Sequence, residues 1–138
     1  MPCRVLFVED ESSVHFALRE YFGALGYVVD CVADAASALA RIARSPYDIV
    51  VADLRLSAGG VPPAEPAGLA LIEWLHHAHP DTRVVVLTAC ASDLGEEALR
   101  LGADRFLQKP QPLSVVAEVL GSLRGPSGTD AIPKGTYR

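Results

Sequence analysis

The chain predicts a doubly wound α/β fold of (βα)5 type: a parallel five-stranded sheet in the order 2-1-3-4-5 with helices on both faces. Short apolar runs alternate with stretches of helical periodicity along all but the end of its 138 residues. The runs are continuous rather than alternating, as expected of strands buried on both faces. The first of them, "RVLFVEDE", ends abruptly in Glu9, Asp10 and Glu11. Carboxylates crowded at a strand end repel one another and are costly to bury unpaired, so a positive group is expected beside them.

Five strands are predicted, at Val5–Val8, Tyr27–Val32, Ile49–Asp53, Val84–Thr88 and Arg105–Gln108. After the first, Ser12 or Ser13 can cap a helix whose apolar side uses Val14, Ala17, Leu18, Tyr21 and Leu25, with Gly26 closing it in the left-handed conformation. Asp34 caps "AASALARIARS", and Pro46 ends it. The third helix runs from about Gly68 to His79 before Pro80, and the fourth from about Leu94 to Leu101 before Gly102. The fifth starts at Pro112, a good first-turn residue, and spaces Leu113, Val116, Leu120 and Leu123 along one side.

Residues 1–124 therefore read as one domain, and 125–138, "GPSGTDAIPKGTYR", as a polar tail or a truncated linker. A net charge of -5 without a basic run gives no footing for direct nucleic-acid binding. The apolar stretches are strand-sized and no signal-peptide pattern opens the chain, so no membrane association and a cytoplasmic location are expected. Cys3, Cys31 and Cys90 follow no metal-ligand rhythm and read as reduced thiols. His76, His77 and His79 read as a solvated helix terminus rather than metal ligands, His15 as an ordinary helix residue, and Trp74 as packing or a partner contact.

In this topology, function gathers at the carboxyl ends of the strands. Strand 1 delivers Glu9 and Asp10, strand 3 Asp53, strand 4 Thr88, and strand 5 Lys109 followed by Pro110. Three converging carboxylates favour a hard divalent cation, Mg2+ above all, with Lys109 as the second positive group.

"VLFVEDE", "DIVVADLRL", "VVVLTA" and "GADRFLQKP", in that order, resemble the receiver domain of bacterial two-component response regulators over residues 4–123. The resemblance implies a CheY-like, flavodoxin-like fold. It implies that Asp53 is the phosphoacceptor, served by a sensor histidine kinase, a phosphotransfer protein or a small donor such as acetyl phosphate. Asp10 matches the direct Mg2+ ligand, Glu9 its neighbouring acid, and Arg55 the residue whose backbone carbonyl completes the metal site. Thr88 and Lys109 match the groups that meet the phosphoryl oxygens, with Thr88 and Phe106 forming the switch. A downstream protein partner would read the changed surface around the fourth helix, fifth strand and fifth helix, and a homodimer through that face is a further option. Such a protein is a signalling phosphoprotein rather than an enzyme. A receiver-fold interaction module independent of phosphorylation is the alternative; a small hydrolase with an aspartyl nucleophile lacks a general acid two residues after Asp53 and a cap domain.

Two local features extend the expectation. The Pro/Gly-rich segment Ser57–Gly68 makes the connection after Asp53 long, and a role in donor or phosphatase access predicts that shortening 57–67 alters the rates of both phosphorylation and dephosphorylation. Arg55 and Cys90 are poorly suited to activate water, which implies a persistent phosphoryl group; a lifetime of seconds with Mg2+ would contradict it. Ala89 is small and leaves the site open to donors.

Overall fold

A computed structural model of the chain describes residues 2–54, 67–89, 92–124 and 135–136. Five parallel strands, β1 (Arg4–Val8), β2 (Val28–Val32), β3 (Ile49–Ala52), β4 (Arg83–Thr88) and β5 (Arg105–Gln108), stand in the predicted order 2-1-3-4-5. Five helices intervene: α1 (His15–Ala24), α2 (Ala35–Arg44), α3 (Ala67–Ala78), α4 (Ser92–Leu101) and α5 (Leu113–Leu123).

Continuous apolar strands are needed because each face carries its own core. Leu6, Val8, Val50, Val84, Val86 and Phe106 point to the side of α2, α3 and α4. Val5, Phe7, Ile49, Val51, Val85 and Leu107 point to the side of α1 and α5. Period-two alternation along a strand thus divides one apolar run between two interiors. Helix ends follow local chemistry. The Asp34 carboxylate accepts the Ser37 N–H at 2.7 Å, and Gly26 stands at φ 99°.

Two expectations need correction. A 3-10 turn over Ser12–Val14 leads into α1, and neither serine caps it through its side chain. The buried side of α1 is Leu18 and Phe22, with Val14 and Tyr21 beside them, while Ala17 and Leu25 are exposed. Phe22 meets Phe7, Tyr21 and Tyr27 at ring separations of 5.1, 5.1 and 6.0 Å, so an aromatic cluster fixes the helix rotation. The tail adds a sixth strand, β6 (Gly135–Thr136), parallel to β5 with Gly135 opposite Arg105 and Thr136 opposite Phe106. Backbone pairing requires no apolar periodicity, so the tail's composition did not announce it. Removing residues 125–138 should speed hydrogen exchange of the β5 amides that face β6; unchanged protection by mass spectrometry would remove β6 from the sheet.

At the amino ends of the strands the buried Tyr47 hydroxyl donates to Asp30 Oδ2 at 2.6 Å, with Arg4 and Arg41 near the same carboxylate. Burial, and then the bond to Asp30, raise the Tyr47 pKa. The folded chain therefore holds the phenol proton more tightly than the unfolded chain. That contribution is complete below about pH 10 and is lost as pH rises through the folded value. Stability should fall in that window, and Tyr47→Phe should flatten the fall while costing about 1.5 kcal/mol at neutral pH; denaturant titrations of both proteins from neutral to alkaline pH test it.

Candidate functional site

Each strand end at the carboxyl rim is tied to its neighbour by backbone bonds. The Glu9 N–H donates to the Val32 carbonyl at 2.9 Å, the Asp53 N–H to the Val8 carbonyl at 3.3 Å, and the Lys109 N–H to the Thr88 carbonyl at 2.9 Å. The side chains beyond these ties are thus carried by the rigid sheet rather than by free loops.

Glu9, Asp10 and Asp53 bring one carboxylate oxygen each within 4.8 Å of one another, and they form the only such group of acids, histidines and cysteines among the described residues. Lys109 Nζ donates to Glu9 Oε1 at 2.9 Å and to Asp53 Oδ2 at 3.1 Å. The positive partner demanded by the crowded acids is therefore Lys109. Burial works against its charge, but the hydrogen bonds to Glu9 and Asp53 outweigh burial and raise its pKa. The ammonium is accordingly charged throughout the physiological range.

Glu9 is held from several sides. Its second carboxylate oxygen accepts the Glu11 N–H at 3.1 Å, and its carbonyl lies 2.7 Å from His15 Nε2. Neither contact was foreseen. His15 reads in sequence as a helix residue, and nothing in the local pattern signals that its ring turns back to the acidic loop.

Thr88 is fully buried at the end of β4 and Phe106 is 3% exposed. Val86 stands opposite Phe106 and Thr88 opposite Gln108, so alternation places Thr88 and Phe106 on the same face, toward α4. The structure therefore brings Glu9, Asp10, Asp53 and Lys109 together, and sets Thr88 beside Phe106 at the neighbouring strand ends. Arg55, Cys90 and 57–66 of the predicted long connection lie outside the described residues. His76 and His77 are exposed near the end of α3 and His79 lies just beyond it, with Trp74 5.1 Å from the His79 ring. This is the solvated terminus expected. Cys3 and Cys31 are free thiols, and burial above all raises the pKa of each.

The family model for the response regulator receiver domain matches residues 5–120. The chain belongs to that family. This receiver domain is 30% identical over 132 residues to the response regulator protein PilR of Pseudomonas aeruginosa, covering 93% of this chain and 28% of PilR. It is 34% identical over 121 residues to the transcriptional regulatory protein QseB of Haemophilus influenzae, covering 87% of this chain and 52% of QseB. The chain thus spans about half or less of these relatives, so what those whole proteins do stays with them. A CheY-like receiver domain from Methylobacillus flagellatus superimposes with a TM-score of 0.74 at 28% identity, covering 89% of this receiver and 99% of that chain. The chemotaxis response regulator CheY4 of Vibrio cholerae, at 21% identity, covers 89% and 99% with a TM-score of 0.77 and shares the fold. No helix among the described residues is long and apolar enough to cross a membrane.

Proposed function

We propose that this receiver accepts a phosphoryl group on Asp53 from a histidine kinase or phosphotransfer protein and signals by a changed α4-β5-α5 surface to a downstream protein. The observation that carries the reading is the bridging of Glu9 and Asp53 by Lys109 within 4.8 Å-spaced carboxylates, an arrangement with no structural need at a sheet rim. A divalent cation fits this site because the donors are all hard oxygens in close mutual reach. Glu9, Asp10 and Asp53 would hold Mg2+, with the Arg55 carbonyl by position. Bound there, Mg2+ would neutralise charge on the phosphoryl oxygens.

The chain's own groups do the rest. One Asp53 oxygen attacks phosphorus while the bond to the donor nitrogen or oxygen breaks, and Lys109 exchanges part of its carboxylate pairing for the incoming oxygens. The Thr88 hydroxyl donates to the same group, and its inward shift makes room for Phe106 on the shared sheet face. Asp53 would thus be a stoichiometric acceptor rather than part of a turnover enzyme. A homodimer through the α4-β5-α5 face is compatible with this output.

Incubation with acetyl phosphate and Mg2+ should add the mass of one phosphoryl group to the wild type and none to Asp53→Ala. An unmodified wild type would instead favour a receiver-fold interaction module that works without phosphorylation.

A further inference from the structure

A half-open cavity of about 220 Å³ lies between β1, β3 and β4 on one side and α1 and the start of α5 on the other. Its apolar walls come from Phe7, Val14, Leu18, Val51, Leu87 and Leu113, and the same cavity is bounded by Glu9, Asp53 and Lys109. Interiors that only support a sheet close to crystal-like density. This one stays open where it meets the phosphoacceptor. An apolar cavity of about 150 Å³ takes a benzene molecule. The present one therefore has room for a phenyl ring or a short alkyl chain, which the methyl group of acetyl phosphate would leave largely unfilled.

We infer that the site takes, as a small-molecule phosphodonor, an acyl phosphate whose apolar chain is longer than acetyl and is seated in this cavity. The inference rests on Asp53 being the acceptor. In the transfer, an Asp53 oxygen bonds to phosphorus, the bond from phosphorus to the acyl oxygen breaks, and the electron pair leaves on the carboxylate product, so no proton has to move. In-line displacement puts the leaving oxygen away from Asp53, toward the open rim. From there the chain turns past Lys109 and Pro110 to reach Val14 and Leu113. The polar end meets the Lys109 ammonium, already 2.9 Å from Glu9 and 3.1 Å from Asp53, while the chain leaves water for the apolar walls. Phe106 belongs to the core on the other face of the sheet, so the chain's seat is separate from the proposed switch.

Each buried methylene should raise kcat/KM about three- to fourfold. Butyryl phosphate carries two more methylenes than acetyl phosphate, and its leaving carboxylate has nearly the same basicity. It should therefore label Asp53 about tenfold faster at limiting donor concentration. Benzoyl phosphate should show a gain of the same order. The experiment follows initial labelling by intact mass with the three donors and Mg2+, in the wild type, Leu113→Phe and Val14→Phe. These variants fill the cavity from different walls, and circular dichroism reports whether each is folded. A butyryl-to-acetyl ratio near ten in the wild type that falls toward one in the folded variants supports the seat. Equal rates in the wild type, or a preference that the filled variants keep, overturn it while leaving Asp53 as acceptor. Labelling by none of the donors, matching Asp53→Ala, overturns the acceptor reading and the seat together.

Discussion

Replacing Gly68 by alanine should cost the receiver about 3 kcal/mol, lower its melting temperature by about 10 °C and slow phosphorylation of Asp53. A Cβ at this position would stand 2.5 Å from the Leu54 Cα, 2.7 Å from the Leu54 carbonyl oxygen and 2.8 Å from the Asp53 carbonyl oxygen. All three are backbone atoms, so no rotamer change relieves the overlap. Either α3 retreats or the Asp53–Leu54 peptide does. Retreat of α3 is opposed by Leu71, Ile72 and Leu75, which are at most 3% exposed in the core on that face, and Leu54 is itself fully buried. The strain therefore falls partly on the segment that carries the acceptor carboxylate. Intrinsic propensity pulls the other way, since alanine is favoured over glycine in a helix by about 1 kcal/mol. Gly121, on α5 with nothing within 4 Å of its would-be Cβ, isolates that gain. Gly121→Ala should stabilise while Gly68→Ala destabilises. Denaturant unfolding of the pair, with acetyl phosphate labelling as the second readout, decides the matter, and two changes of the same sign would show that the close approach is not limiting.

That contrast also marks what the sequence made legible. Strands surfaced within a residue of their observed limits because an apolar run flanked by polar turns is a local signal, and the sheet order followed from the βα alternation. Glu9, Asp10, Asp53 and Lys109 were legible because charge at the end of an apolar strand is conspicuous and the fold gathers strand ends on one rim. Gly68 and Gly121 look alike in sequence, however, and only tertiary approach distinguishes them. The rotation of α1 shows the same limit. Ala17 and Phe22 both fit an apolar stripe, and the choice was made by the aromatic partners Phe7 and Tyr27, which lie on β1 and just before β2. The His15 contact to the Glu9 carbonyl and the backbone pairing of Gly135 and Thr136 leave no periodic trace at all, since each depends on where a distant segment passes.

Gly95→Ala should drive the Phe106 ring out of its buried seat without any phosphoryl group. The missing side chain on α4 leaves the space in which the ring lies, and an alanine Cβ would stand 2.6, 2.6 and 2.7 Å from three of its ring carbons. Here the obstructing atoms are the far end of a side chain, so the ring should yield before the backbone does. Expulsion forfeits about 2 kcal/mol of apolar burial, offset by about 1 kcal/mol of helix propensity, for a net cost near 1 kcal/mol. In a Phe106→Ala background the obstruction is gone, and Gly95→Ala should become stabilising by about 1 kcal/mol. Fluorophenylalanine labelling reads the ring directly. The chain has four phenylalanines, and Phe16, 68% exposed, supplies an internal reference for a solvated ring. The Phe106 fluorine resonance, assigned by its loss in Phe106→Leu, should move toward the Phe16 position in Gly95→Ala. A resonance that stays put with a cost above about 3 kcal/mol would mean that α4 shifted instead. On the proposed switch the phosphoryl state seats the Phe106 ring in the space that Thr88 vacates, so a variant that holds the ring outward spends more of the phosphoryl interaction on driving it back. Beryllofluoride, a phosphoryl mimic, should therefore bind Gly95→Ala more weakly than the wild type, by a factor equal to the shift in ring population. An outward ring with unchanged beryllofluoride affinity would separate Phe106 from Asp53 and confine the ring to a packing role.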